Sequence, residues 1–267
     1  AGDVSNATEY HARAAEHART RMAHEAVLDH VQQALTLLDK TPRATGTRLL
    51  RMRLLEGREA TLDVLGDRVG QRADIDALAE LAEAQDDNRR RAHAAWRRSA
   101  LAQRIADYAA METGAQQAVE WARRAGADEI RLLAQRMLAM SLAFQGRSAE
   151  GRDGAEQALA EARALGLRRV EGLCLNALSV MLAMRNDDVG ALLLDQQSLI
   201  AHRAAGDRRN EAIAQGNIGA GWLGLGELTR ARVELEEGLR LLRINGEEAL
   251  AVSPLCALST LALWQGD

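Results

Sequence analysis

Lysine is almost missing from this chain: Lys40 is the single one among 34 basic residues. A phosphate-binding P-loop needs a lysine directly after a glycine-rich turn, to reach the terminal phosphates. No glycines precede Lys40, in Leu38-Asp39-Lys40-Thr41-Pro42, so a Walker-type nucleotide site is excluded. Aromatic residues are scarce at 3%, and prolines number two. That scarcity argues against all-β folds, which lean on aromatic and β-branched strands and on proline-bearing turns. Cysteines also number two, Cys174 and Cys256, with no C-x-x-C and no histidine at metal-ligand spacing. Both are expected on inward helix faces, where a free cysteine behaves as a small hydrophobe, and their reduced state fits a cytoplasmic setting. No apolar run approaches the roughly 18 residues of a membrane span, and no signal peptide opens the chain. The opening Ala1-Gly2-Asp3, without methionine, reads as a processed or excised product. Thirty-four basic against 38 acidic residues leave a net charge of −4, without the polybasic footprint of direct nucleic-acid binding.

What remains is abundant in helix formers. The 267 residues are 47% hydrophobic and 27% charged, enough to bury a core and stay hydrated, and they are rich in Ala, Leu, Arg and Glu. The organising signal is a repeat of forty residues: Gly126, Gly166, Gly206 and Gly246 form one column. Gly146, Asn186, Gly226 and Gly266 form a second, halfway between. Glycine and asparagine tolerate the left-handed conformation that closes a helix, so two stop signals per period mean two helices per repeat. Small residues recur at Ala94, Ala134, Cys174 and Ala214, and at Ser99, Ala139, Ser179, Gly219 and Ser259, allowing close helix approach. Arg123, Arg163, Arg203 and Arg243 precede the first glycine column, where a cation complements the helix dipole. Pro42 marks a break between hairpins and Pro254 lies near the start of the last helix.

These columns predict an all-α, right-handed α-solenoid of six helical hairpins plus a final unpaired helix. Residues 1–86 form irregular N-terminal hairpins and residues 87–267 regular repeats, in one continuous solenoid. Gly266-Asp267 occupies the turn before another second helix, so the array reads as ending in mid-repeat, a fragment of a longer protein.

The pattern resembles the tetratricopeptide-repeat family, in which an apolar-small pair in the first helix is followed by small residues in the second. Leu138-Ala139 with Gly151 and Ala158, Leu178-Ser179 with Ala191 and Ser198, and Ile218-Gly219 with Ala231 and Gly238 carry the resemblance. Forty residues exceed the family's usual unit, and of its aromatic positions only Trp222 is kept, with Leu142 and Leu182 at the others. Longer units of this kind look like the repeat regions that follow an ATPase module in LuxR-type transcription activators and ATPase-linked adenylate cyclases. Arg21-Met22-Ala23-His24-Glu25-Ala26, then Val31-Gln32-Gln33-Ala34-Leu35-Thr36-Leu37-Leu38, is similar to the first repeat after that module.

Chemical motifs are few. Gly219-x-Gly221-x-x-Gly224 matches the dinucleotide fingerprint but falls inside a predicted helix, in columns that are small elsewhere, so close packing accounts for it. His11, His17, His24, His30, His93 and His202 show no i, i+4 pairing and read as surface or interface residues. Ser179 and Ser259 lack a histidine partner. Arg89-Arg90-Arg91 with Arg97 and Arg98 follow Asp86-Asp87, as in a capped helix start with a solvated face.

The family's groove positions, carried over by resemblance, are Leu133, Arg136, Met140 and Phe144 in one unit and Leu173, Asn176, Val180 and Met184 in the next. The third contributes Ile213, Gly216, Ala220 and Leu223. Family members that clamp a peptide carboxylate use Asn, Lys and Arg there; the mostly apolar set here speaks instead for an amphipathic helix or a hydrophobic ligand, or for packing between repeats. The resulting expectation is a non-catalytic sensing or protein-interaction module of a bacterial signalling or transcription regulator. It would bind a protein partner or small effector in the concave groove, need no cofactor or metal, and touch neither nucleic acid nor membrane. Its exposed last helix is a candidate homodimer surface. The rival is a free-standing adaptor that scaffolds a complex.

Overall fold

The computed structural model describes residues 2–40, 45–247 and 250–265; Pro42 and Gly266-Asp267 lie outside them. Among the described residues there are thirteen helices and no strand. They are α1 (Gly2–Thr20), α2 (His24–Asp39), α3 (Thr45–Leu65), α4 (Arg68–Glu83), α5 (Asn88–Arg104), α6 (Tyr108–Ala125) and α7 (Asp128–Phe144). The chain continues through α8 (Ser148–Ala164), α9 (Arg168–Ala183), α10 (Asp188–Ala205), α11 (Arg208–Gly224), α12 (Leu228–Ile244) and α13 (Val252–Gln265). Among the described residues no helix is long and apolar enough to cross a membrane.

The turns explain why the helices fall where they do. Gly126, Gly146, Gly166, Gly206, Gly226 and Gly246 all have φ between 60 and 85°, and Asn186 joins them at 60°. Each places the next amide on a carbonyl five residues back, as in Leu167 N to Ala162 O at 2.9 Å and Glu227 N to Trp222 O at 2.9 Å, which satisfies orphan carbonyls of the last helical turn. The same device runs through the N-terminal third, where the repeat is irregular in sequence. Asp86 (φ 49°) and Ala106 (55°) lie forty residues upstream of Gly126 and Gly146, and Gly66 (77°) lies forty upstream of Ala106. An aspartate then starts the next helix: Asp67, Asp87, Asp107, Asp187 and Asp207 each accept the amide three residues on. Since an L-residue pays roughly 1–2 kcal/mol in the left-handed region, Ala106→Gly is expected to stabilise the chain by about 1 kcal/mol after the glycine's own entropy is counted. Urea unfolding checks this, and a loss of stability would mean that the Ala106 methyl contributes packing.

Small columns set the spacing between helices. Ala94, Ala134, Cys174, Ala214, Ser99, Ala139 and Ser179 are all at most 3% exposed. Gly151 of α8 lies so close to α7 that a methyl there would sit 2.5 Å from the Ala139 carbonyl oxygen. Gly219, Gly221 and Gly224 lie within α11, where added Cβ atoms would meet Leu235, Leu192 and Asp188 respectively; no strand precedes them, and close packing is their role. The largest core cluster spans α5 to α10, around Met111, Leu132, Met137, Val170 and Leu175.

Where helices two apart in the chain pack on each other, they are odd-numbered. α5 touches α7, α7 touches α9 and α11 touches α13. A layer whose neighbours are closer lies on the inside of the curve, so the odd helices line the concave face. The curvature brings distant repeats together: Arg209 of α11 donates to Asp63 of α3 at 3.3 Å, 146 positions apart. Met22, in the turn after α1, lies over Gly246, in the turn after α12.

Two expectations are corrected. Cys174 is buried, but Cys256 is exposed, as is Ser259. Both stand on α13, whose packing on α11 and α12 leaves these two positions uncovered. His202, expected at the surface, is 1% exposed, its ring laid against Gly172, where a Cβ would sit within 2.7 Å of it.

Candidate functional site

Three odd helices, α7, α9 and α11, present the groove positions at matching heights because the repeat is forty residues. Burial divides them. Leu133 (5%), Met140 (4%) and Leu223 (8%) are in the core: the first two join the central cluster, and Leu223 packs with Ala231 and Leu261. Phe144 is half-buried, its ring 4.7 Å from that of Tyr108. Met184 follows the last residue of α9 and is exposed, as is Ala220. Arg136, Leu173, Asn176, Val180, Ile213 and Gly216 stay partly open. Three of the apolar residues carried over therefore serve contact between repeats, the second of the roles open to apolar side chains on this face.

Beneath Asn176 lies a polar cluster that sequence reasoning did not find. Asp195 of α10 is 4% exposed, and Ser179 donates to its Oδ2 at 2.6 Å. Burial pushes its carboxyl up to about 6, against the pull of Ser179 and of the neighbouring Asn217 and Asn176 amides. Its Oδ1 has no hydrogen bond of full geometry. A lone aspartate in a helical stretch gives little signal in sequence. The one available is its column, since the positions forty residues to either side are Ala155 and Leu235, small and apolar.

Charge on the inner face is arranged as a chain of arginines. Arg104 meets Asp63 at 3.3 Å, Arg169 meets Asp207 at 3.3 Å and Glu129 at 3.6 Å, and Arg209 meets Asp63 at 3.3 Å and Glu247 at 3.4 Å. The arginine column before the glycines has a role beyond the helix dipole. Arg163 and Arg168 both grip buried Glu171, and Arg203 and Arg208 both grip buried Glu211 one repeat later, stitching α8 to α9 and α10 to α11.

The basic cluster at α5 is neutralised. Asp87 caps the helix by accepting from the Arg90 amide at 3.0 Å; Arg91 pairs with Glu83 and Asp86, Arg97 with Glu59, and Arg98 with Asp76. Arg91 also stacks over the Trp121 ring at 4.9 Å. His11 and His30 face each other, Nδ1 to Nδ1 at 3.2 Å. Among the described residues no three His, Cys, Asp or Glu side chains converge as a metal site.

No protein-family model matches the chain, and no curated protein sequence does. Solved structures do. A Rap protein complexed with Competence and Sporulation Factor superposes with a TM-score of 0.66 at 14% identity, covering 99% of this chain and 72% of that one. A Signal Transduction ATPase with Numerous Domains (STAND) protein with a tetratricopeptide repeat sensor, from Pyrococcus horikoshii, gives 0.60 at 14% identity, over 92% of this chain and 38% of that one. BtubC (BKLC) from P. vanneervenii gives 0.53 at 15% identity, over 90% and 91% of the two chains. The chain thus spans well under half of the STAND protein it matches. At these identities the likeness concerns the fold: an all-α, tetratricopeptide-like helical-repeat solenoid.

Proposed function

We propose that this chain is a non-catalytic sensing or protein-interaction module of a larger bacterial signal-transduction regulator, working in the cytoplasm. It takes a small effector or a protein partner in the concave groove and passes the binding on to an attached ATPase and output domain. The observation that carries this reading is the row Leu173, Asn176, Val180 and Ile213. These stay partly open on the inner faces of α9 and α11, whereas Leu133, Met140 and Leu223 of the same columns are closed by core packing. Likeness in fold to a repeat sensor attached to a signalling ATPase supports the same reading.

The test is a melting-shift screen of short peptides and metabolites on the chain, with hits titrated into a Val180→Asp, Ile213→Asp double variant. A groove ligand loses at least about tenfold in affinity, ~1.4 kcal/mol, on the variant. Hits that bind both proteins equally place the site elsewhere. Release of phosphate from ATP by the purified chain would contradict the non-catalytic reading.

The rival reading is a free-standing adaptor that scaffolds a complex through the same groove. In either setting the apolar face of α13, with Val252 (64%), Leu263 (76%) and Trp264 (59%) exposed, is the proposed self-association surface. Leu263→Glu is then expected to lower the sedimentation mass toward that of one chain.

A further inference from the structure

The outer face of the solenoid carries a cavity of its own. α8 and α10 both pack on α9 and do not pack closely on each other. The gap between them holds a cavity of about 430 Å³, a volume typical of small-molecule sites. Its lining is Leu159 of α8, Leu178, Met181 and Leu182 of α9, and Leu193 and Leu194 of α10. Leu193 is 56% exposed, so covering it would be favourable. The neighbouring repeats lack this lining. Forty residues upstream of Met181, Leu193 and Leu194 stand Ser141, Asp153 and Gly154, and forty downstream of Met181 and Leu194 stand Gly221 and Glu234.

The two ends of the cavity differ. At the far end of α8, Arg163 reaches across to α10 and donates from Nη2 to the Gln197 Oε1 at 3.3 Å, bridging the gap. Toward the start of α8 the cavity is lined by Arg152 and by Arg185, which follows α9. One repeat earlier the same two positions are Glu112 and Gln145, and Gln145 donates to the Glu112 carboxylate at 2.8 Å. Two arginines cannot make that bond, so this end stays open. Arg152 is paired with Glu156 at 2.7 Å, whereas Arg185 has no ion pair and no side-chain hydrogen bond among the described residues. The open end therefore carries one uncompensated positive charge.

We infer that this cavity holds a single-chain amphiphile, its unbranched apolar chain lying on Leu178, Met181 and Leu193 and its one anionic head at Arg185 beside Arg152. The bridged end favours a short ligand over a partner helix, which would meet the Arg163–Gln197 bond as it ran along the gap. Eleven residues of α8 separate Arg152 from Arg163, about 16 Å at the helical rise. Carboxylates and phosphate monoesters both accept charge-assisted hydrogen bonds from a guanidinium, so a fatty acid and an alkyl phosphate are the two sources of such a molecule. The site faces away from the concave groove and is independent of it.

Calorimetry with decanoate, decyl phosphate, 1-decanol and hexanoate tests this. At least one of the two decyl anions is expected to saturate a single site and to bind at least about fivefold more tightly than 1-decanol. The tighter of the two identifies the source. Hexanoate is expected to bind at least about tenfold more weakly than decanoate, because it buries fewer methylenes. Leu193→Asp and Arg185→Gln each install the residue found forty positions earlier, at an exposed position, so both variants are expected to fold. The first is expected to lose at least about tenfold in affinity for the anion and the alcohol alike, and the second only the preference for the anion. No saturable binding of either decyl anion, equal binding of anion and alcohol, or an unchanged affinity in Leu193→Asp overturns the inference. So does a preference for the anion that survives Arg185→Gln. Binding that is lost in Val180→Asp with Ile213→Asp but kept in Leu193→Asp places the amphiphile in the concave groove and overturns it too.

Discussion

Gly151→Leu is expected to cost at least about 3 kcal/mol, the upper range of overpacking penalties, and to loosen α8 from α7. A Cβ at this position meets the Ala139 carbonyl oxygen at 2.5 Å and the Ala143 amide nitrogen at 3.1 Å. Both are backbone atoms of a helix held on its other side by α9, so neither yields as the end of a flexible side chain would. In a solenoid each repeat is stabilised chiefly by its neighbours, and wedging one pair apart also removes support from the next. Gly57 is the control: it lies inside α3 with nothing within 4 Å of an added Cβ. Gly57→Ala is therefore expected to gain up to about 1 kcal/mol from helix propensity alone. Urea unfolding followed by circular dichroism separates the two. Loss at both glycines would point to a general intolerance of helix substitution, and loss at neither would show that the helices can part without cost.

Asp195→Asn is expected to stabilise the chain at neutral pH and to leave it unchanged near pH 4. The carboxyl is pushed up to about 6 by burial, from an ordinary value of 3.8. Between those values the folded chain binds a proton that the unfolded chain has released, so stability falls as pH rises from about 4 to about 6, and then levels off. The difference corresponds to roughly 3 kcal/mol at the upper limit. Asparagine carries no charge to desolvate and can still accept the Ser179 hydroxyl. Subtracting the stability of the variant from that of the wild type at each pH isolates this group from other titrations. A difference independent of pH would show that Asp195 stays ionised when folded, with more help from Asn176 and Asn217 than their geometry indicates.

Much of the fold was legible because a helix end is a local event. A glycine or asparagine that reverses the chain declares itself in sequence, and at a forty-residue period its neighbours repeat the declaration. Ala106 and Asp86 carry no such signal, for the complementary reason. Their left-handed backbones are imposed by the helices on either side, and nothing in an alanine announces it. The site was less legible. A carried-over column says which face of a helix a residue shares, and Arg136, Leu173, Asn176, Val180 and Ile213 do remain partly open. It does not say how closely the next repeat will press, and Leu133, Met140 and Leu223 are taken into the core by that approach.

Composition and period alone determined the class of fold, the number and order of the helices, and the absence of a P-loop, since each depends on residues near one another in the chain. Tertiary structure alone decided that Asp63 would meet Arg209 across 146 positions, that Cys256 would be exposed while Cys174 is buried, and that the Arg136 Nε would be buried without a hydrogen-bond partner among the described residues. These outcomes depend on the small rotation from each repeat to the next. That rotation is the sum of many side-chain contacts, and it accumulates along the solenoid without leaving a mark on any single residue.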